Sequence, residues 1–274
     1  MLYNQLPSGI YGFMHIAVMG NWKEIVEEQL QIIESSGLRR ETNKIIAGIT
    51  GVQFDEEYYL SEHPDVRNAV PKPFSNGLEH YLKYGKNEGR KAKIGMEDYI
   101  DFLSNYVDII YYDSDLKKAE KFTLLKLHRF ANLVSNSKFW YIHTKGASRP
   151  NEKNVYYWRK YMEYFVVEKY RDCVAALDEY EACGTDWLPS DKERFAKGWG
   201  ISKKKPVPNI FAGNFWWARS DYIRKIDTKP LIEGDYFASE HAFIGMANPK
   251  AKSMHNSYCN LYSTSYPPER YKSA

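Results

Sequence analysis

The sequence predicts an α/β fold, a Rossmann-like and mostly parallel mixed sheet flanked by helices. Three observations carry the prediction. A short apolar run, His15-Ile16-Ala17-Val18-Met19, is followed by a segment of helical period and then by a second apolar run, Lys44 to Ile49. Strand, helix and strand in that order argue for a parallel sheet. The run Phe139-Trp140-Tyr141-Ile142 places four large apolar residues in a row, as in a strand buried on both faces. It leads without a spacer into His143-Thr144-Lys145-Gly146. Ligands of open α/β sheets bind outside such carboxyl ends. An imidazole and an ammonium there suit an anion, and phosphate is the first to consider.

The elements follow in chain order. Gly20-Asn21-Trp22 closes the first strand, and Lys23 to Ser36 carries Ile25, Val26, Leu30 and Ile33 on one helix face, with Gly37 as its stop. After the second strand, residues 54–94 break the rhythm with three prolines and the polar stretch Gly85 to Lys91. They read as a small helical insertion in a sheet-edge loop, with His63 and His80 capping helices and packing locally. Val107 to Tyr112 returns to strand character, and Thr123 to Val134 is an amphipathic helix with Leu124, Leu127, Phe130, Ala131 and Val134 inward. The strand ending at His143 comes next. A long helix is then expected from Val155 to Tyr180, with the aromatic stripe of Trp158, Tyr161, Phe165 and Tyr170 in the core.

Pro189 to Pro208 is a basic loop, a candidate lid or acceptor-binding element. Ile210 to Arg219 reads as one strand bent at Gly213, and Ala238 to Gly245 as the first turns of a helix with Ser239 as its cap. The Tyr-, Ser- and Pro-rich tail wraps the surface. The whole chain, 1–274, is expected to be a single domain with 54–94 inserted in it.

Composition narrows the function. A formal charge of +3 is too small to argue for nucleic acid or a membrane surface, although aromatic residues reach 16%. No apolar run approaches the roughly 18 residues of a membrane span, and Met1 to Ile10 lacks a secretory pattern. Cys173, Cys183 and Cys259 form no CxxC pair and read as free thiols, so a cytoplasmic location is expected. No GxGxxG, GxxxxGK[ST] or HExxH pattern is present.

Four motifs occur in order: His143-Thr144-Lys145-Gly146-Ala147-Ser148, Trp158-Arg159-Lys160-Tyr161-Met162, Gly213-Asn214-Phe215-Trp216-Trp217 and Ser239-Glu240. As a set they resemble nucleotide-sugar-dependent glycosyltransferases of the GT-A fold, found in bacteria and large viruses. The resemblance covers nearly all of the chain apart from the insertion. The insertion itself, through Tyr59 to Val66, Glu79-His80-Tyr81 and Glu88-Gly89-Arg90, resembles a short module often found beside such domains. The resemblance implies a hexosyl- or pentosyltransferase that moves a sugar from a UDP- or GDP-linked donor to a glycan hydroxyl with inversion.

The residues divide by role under that reading. Val18, Gly20 and Asn21, at the end of the first strand, would contact the nucleotide, by resemblance. His143-Thr144-Lys145 fills the place where many GT-A enzymes hold a metal with Asp-x-Asp. Lys145 and Arg149 could neutralise the diphosphate directly, with His143 donating a hydrogen bond. The alternative is a divalent ion, Mn2+ or Mg2+, with His143, Asp115 and His255 as candidate ligands. A literal Asp-x-Asp stands at Asp113-Ser114-Asp115, where it is either a donor or metal site or a turn. Glu240 is the candidate general base, with Asp186 second. Asn214 and Trp216 are expected on one strand face as an acceptor wall, with Asp186 as a third acceptor-binding residue. A competing class keeps the fold as a non-catalytic carbohydrate- or nucleotide-binding protein. A single-stranded nucleic-acid binder is weaker, because the aromatics fall at core spacing.

Overall fold

The structure is a computed structural model that describes residues 6–188, 209–233 and 243–272. Among them the strands are β1 (Ile10–Ala17), β2 (Thr42–Thr50), β3 (Asp108–Asp113), β4 (Lys138–His143), β5 (Ala182–Thr185), β6 (Trp187–Leu188), β7 (Ile210–Phe211), β8 (Trp216–Arg219) and β9 (Ala251–His255). Seven form one sheet in the order β3-β2-β1-β4-β8-β5-β9, and β6 pairs with β7 apart from it. The pairs β1–β2, β1–β4, β2–β3 and β5–β9 are parallel, and β8 runs antiparallel to both neighbours. This is the mostly parallel mixed sheet that the sequence predicts.

Two consequences of this order position the site. The chain moves outward from β1 to β2 to β3, then returns to lay β4 on the other side of β1. The strand order therefore reverses between β1 and β4, and such a switch point leaves a crevice at the carboxyl ends. Because β8 is antiparallel to β4 and to β5, the carboxyl ends of β4, β5 and β9 share one sheet edge with the start of β8.

The two faces are packed with the two-residue period of a pleated strand. Met14 and Ile16 of β1, Trp140 and Ile142 of β4, and Trp217 of β8 meet Val26, Leu30 and Ile33 of α1 (Trp22–Ser35) or the helices after β4. Tyr11, Phe13, Phe139, Tyr141 and Trp216 point the other way, onto the side of the sheet that Leu124, Leu127 and Ala131 cover. Those three residues lie on the helix Lys121–Ala131. The first strand begins earlier than its apolar run suggests, because Tyr11 and Phe13 are needed to fill that second face. Gly12 lets the Trp140 indole cross β1, since a Cβ there would lie 2.0 Å from the ring.

Two elements differ from expectation. The helix expected over 155–180 is α-helical over Lys153–Glu163, widens to a π turn over Tyr164–Glu168, and resumes over Tyr170–Ala176. The extra residue in the wide turn shifts the phase, which allows Val166 and Val167 both to be buried beside Tyr161, Met162 and Tyr170. The strand expected over 210–219 is two strands in different sheets. Gly213 at φ +85° and Asn214 at φ +60° stand in succession in the left-handed region, which no strand can continue through.

The insertion is closed at its base by a Phe54–Ile94 bridge, with Asp55 N–H on the Lys93 carbonyl and Gly95 N–H on that of Gln53. Tyr59, Val66 and Tyr81 form a small core of its own. His63 and His80 pack locally but do not cap. Asp55 and Asn76 supply the side-chain caps, while His63 meets the Lys91 carbonyl and His80 the Tyr59 hydroxyl. The helix Glu97–Ser104 then makes the crossover to β3. The tail returns across the helix after β4 and buries Leu261, Tyr266 and Tyr271. No helix among the described residues is long and apolar enough to cross a membrane.

Candidate functional site

A cavity of about 300 Å³ lies at the switch point between β1 and β4. Its wall takes His15, Ala17 and Met19 from the end of β1, and His143 to Arg149 from the end of β4 and the turn after it. Leu116, Ala119 and Glu120 line it from the connection after β3, and Tyr262 from the tail. The volume is at the lower end of the usual range for small-molecule pockets.

Backbone contacts hold the two strand ends together. Thr144 donates its N–H to the His15 carbonyl at 3.1 Å, and its hydroxyl accepts the Ala17 N–H at 2.9 Å. Gly20, at φ +52°, lies so close to the turn that a Cβ would stand 1.8 Å from the Ala147 carbonyl oxygen. Beneath them, Gln29 donates to the His143 carbonyl at 3.0 Å and to Glu163 at 3.2 Å. Glu163 in turn accepts from Arg159, a buried ion pair that fixes the underside of the turn.

The cations gather on the aromatic side of the cavity. Lys145 is buried, with Nζ 3.9 Å from the centre of the Trp158 ring and 5.7 Å from that of Tyr262. Both rings present their faces to the ammonium, the favourable cation–π arrangement. Arg149 is half exposed, with its guanidinium 5.6 Å from the Tyr262 ring and 3.3 Å from Glu152.

A carboxylate and two histidines form a different wall. Glu120, 6% exposed, accepts through Oε2 from the Tyr141 hydroxyl and from Asn214 Nδ2, both at 2.6 Å. Asn214 is itself oriented by Trp216 Nε1, which donates to its Oδ1 at 2.9 Å. His143 has Nε2 3.0 Å from the Gly213 carbonyl, an acceptor only, so that nitrogen carries the proton. Its Nδ1 stands 3.6 Å from Glu120 Oε1, beyond hydrogen-bond range. His15 is held between the Thr123 and Thr50 hydroxyls. Burial, with the neighbouring His143 adding to it, lowers its pKa to about 3, so its ring is neutral at ordinary pH.

The predicted residues are placed as follows. His143, Thr144, Lys145 and Arg149 all line the cavity. Val18, Gly20 and Asn21 flank it, and Ala17 and Met19 are the residues of that segment on its wall. Asp113 and Asp115 are used locally. Asp113 accepts from the Tyr111 hydroxyl, the Lys118 ammonium and the Asp115 N–H, and Asp115 caps the turn at Leu116–Lys118. This is the turn reading of that motif.

The acceptor wall needs correction. Trp216 is fully buried, stacked between Tyr141 and Phe243, and Asn214 is spent on Glu120 and Trp216. Neither presents a face to a ligand. Asp186, at φ +47°, is buried and accepts the Ser257 N–H at 2.6 Å. Burial raises its pKa, partly offset by that N–H. His255 meets the Tyr161 hydroxyl at 3.1 Å and stacks on Phe165. Neither Asp186 nor His255 lines the cavity. His143, Asp115 and His255 thus stand in three separate surroundings, and among the described residues no three metal-ligating side chains converge. Glu240, its cap Ser239 and the basic loop from Pro189 to Pro208 lie outside the described residues.

Sequence reasoning missed Glu120 and His15. Glu120 stands in Lys117-Lys118-Ala119-Glu120-Lys121, which reads as a solvated charge run. His15 carried a signal, an imidazole inside an apolar strand, that could have marked it.

A family model described as "Domain of unknown function (DUF8361)" matches residues 80–268. It includes Glu120, the turn after β4 and Tyr262, but not β1. A comparison with curated proteins finds no match. Among solved structures, 4-diphosphocytidyl-2C-methyl-D-erythritol synthase from Anaerococcus prevotii DSM 20548 is similar at 14% identity and a TM-score of 0.37, over 94% of this chain and 92% of that one. A second 4-diphosphocytidyl-2C-methyl-D-erythritol synthase is similar at 7% identity and a TM-score of 0.36, over 96% and 95% of the two chains. Likeness this loose carries no argument about activity.

Proposed function

The protein belongs to the family of domains of unknown function DUF8361, and we propose that it acts as a glycosyltransferase using a nucleotide-diphosphate sugar. One observation carries the reading: a cavity at the switch point whose wall holds the His143–Arg149 turn, with two cations, Lys145 and Arg149, beside the exposed Tyr262 ring. Nucleotides bind α/β sheets at such switch points, and a leaving diphosphate needs positive charge where its own negative charge grows. Lys145 and Arg149 supply that charge. Ala17 and Met19 form the wall nearest the nucleotide.

In the proposed reaction an acceptor hydroxyl oxygen attacks the anomeric carbon and the bond from that carbon to the diphosphate oxygen breaks. The electron pair leaves with the diphosphate, and the hydroxyl proton passes to a carboxylate. Glu240 is the proposed base. Inversion at the anomeric carbon follows from a single displacement. The expected metal ligands do not fit a common ion, so no step is routed through one. Glycan as acceptor and UDP or GDP as the nucleotide belong to the same proposal.

The test is a panel of UDP- and GDP-sugars, with and without Mn2+ or Mg2+, read by release of nucleoside diphosphate. Turnover by the wild-type chain is expected. Lys145→Met should raise the Kd for the nucleoside diphosphate about tenfold or more, the ~1.4 kcal/mol of one lost charge-assisted contact. Binding of sugar nucleotides with no diphosphate released, with any glycan added, would favour the non-catalytic binder instead.

A further inference from the structure

We infer that Glu120 reads the hydroxyl groups of the donor's sugar. The inference rests on the glycosyltransferase reading and adds a recognition residue to it. Tyr141 and Asn214 both donate to Oε2, which fixes the plane of the carboxylate and leaves Oε1 as the oxygen that a ligand in the cavity can reach. Trp216 locks Asn214 in turn, because its indole N–H takes the amide oxygen and turns the NH2 group toward Glu120. The Gly213–Trp217 motif therefore builds the support of a carboxylate, though none of its residues lines the cavity.

Charge decides what Glu120 can bind. A carboxylate repels a diphosphate, and a partly desolvated cavity strengthens that repulsion. The phosphates must therefore lie toward Lys145 and Arg149, on the Tyr262 side of the cavity. What remains of a nucleotide sugar for the Glu120 wall is neutral and rich in hydroxyl donors, and an ionised carboxylate is an acceptor only. His143 adds to the match. With Nε2–H on the Gly213 carbonyl, its Nδ1 is a second acceptor facing the same space 3.6 Å from Oε1, so two neighbouring hydroxyls can donate, one to each. Cations hold one end of the ligand and an anchored carboxylate the other, so the pair also sets its direction in the cavity.

Calorimetry on the full chain tests this with two ligands per nucleotide, the free nucleoside diphosphate and its sugar-linked form. In Glu120→Gln the amide oxygen takes the two donors and an NH2 group faces the cavity. The sugar-linked nucleotide should bind tenfold to a hundredfold more weakly, with the free diphosphate within about twofold of wild type, as expected for loss of a hydrogen bond to a charged group. Tyr141→Phe, which frees the carboxylate but keeps the ring, should weaken the sugar-linked form severalfold and serves if Glu120→Gln does not fold. Equal weakening of both ligands, or of neither, overturns the inference and leaves the glycosyltransferase reading standing. A wild-type chain that binds no nucleotide sugar overturns both.

Discussion

At the scale of single residues, the site is set by buried polar groups and the partners that hold them. His15 is the sharpest case, because its pKa of about 3 makes it a source of acid sensitivity. The unfolded chain takes up a proton near pH 6.5 that the folded chain refuses until about pH 3. Stability therefore rises with pH across that window and is lost as pH falls through it, by up to about 1.4 kcal/mol per pH unit. Urea midpoints should drop between pH 7.5 and pH 4.5, and His15→Gln should flatten the drop; an equal drop in the variant would exclude His15 as its source. The sequence marked His143, Thr144, Lys145 and Arg149 for the cavity because a strand that ends in polar residues can be read locally. It could not mark Glu120, whose burial depends on Tyr141 and Asn214, 21 and 94 residues away.

At the scale of elements, the main lesson is the split of Ile210–Arg219. Alternation correctly puts Trp216 and Trp217 on opposite faces, but both faces of this sheet are covered, so neither ring is left for a ligand. Trp216→Ala should consequently cost about 3–5 kcal/mol of stability, as for other buried aromatics cut to alanine. Thermal or chemical denaturation measures it directly. A variant as stable as wild type, with only glycan binding impaired, would restore the acceptor wall. The π turn at Tyr164–Glu168 is a second feature hidden from the sequence, since its apolar pattern fits one continuous helix to within a residue.

At the scale of the whole molecule, the switch point between β1 and β4 decides where a ligand can sit. It brings residue 15 beside residue 143 and residue 120 within reach of both. The insertion at 54–94 is peripheral to that arrangement, with its ends paired and its own aromatic cluster, although Leu78 and Leu82 pack on the main core and Asn76 donates to the Tyr112 carbonyl of β3. Replacing 55–93 by a short Gly-Ser link should thus keep one cooperative unfolding transition, weakened by about 3–5 kcal/mol for the lost burial of Leu78 and Leu82 and the lost Asn76 bond. Circular dichroism melts would report it. Loss of the transition would mean that the segment is integral to the fold.

The sequence by itself determined the fold class and the strand whose end lines the candidate site. Apolar runs, helical spacing and their alternation are local properties, written in neighbouring residues. It also placed a polar turn at a strand end, which is enough to point to an anion. Only the tertiary structure decided which carboxylate joins that turn, that the Asp113–Asp115 pair is spent on its own loop, and that the tryptophans are core. Those outcomes depend on burial and on hydrogen-bond partners brought from distant parts of the chain, and strand order alone brings them together.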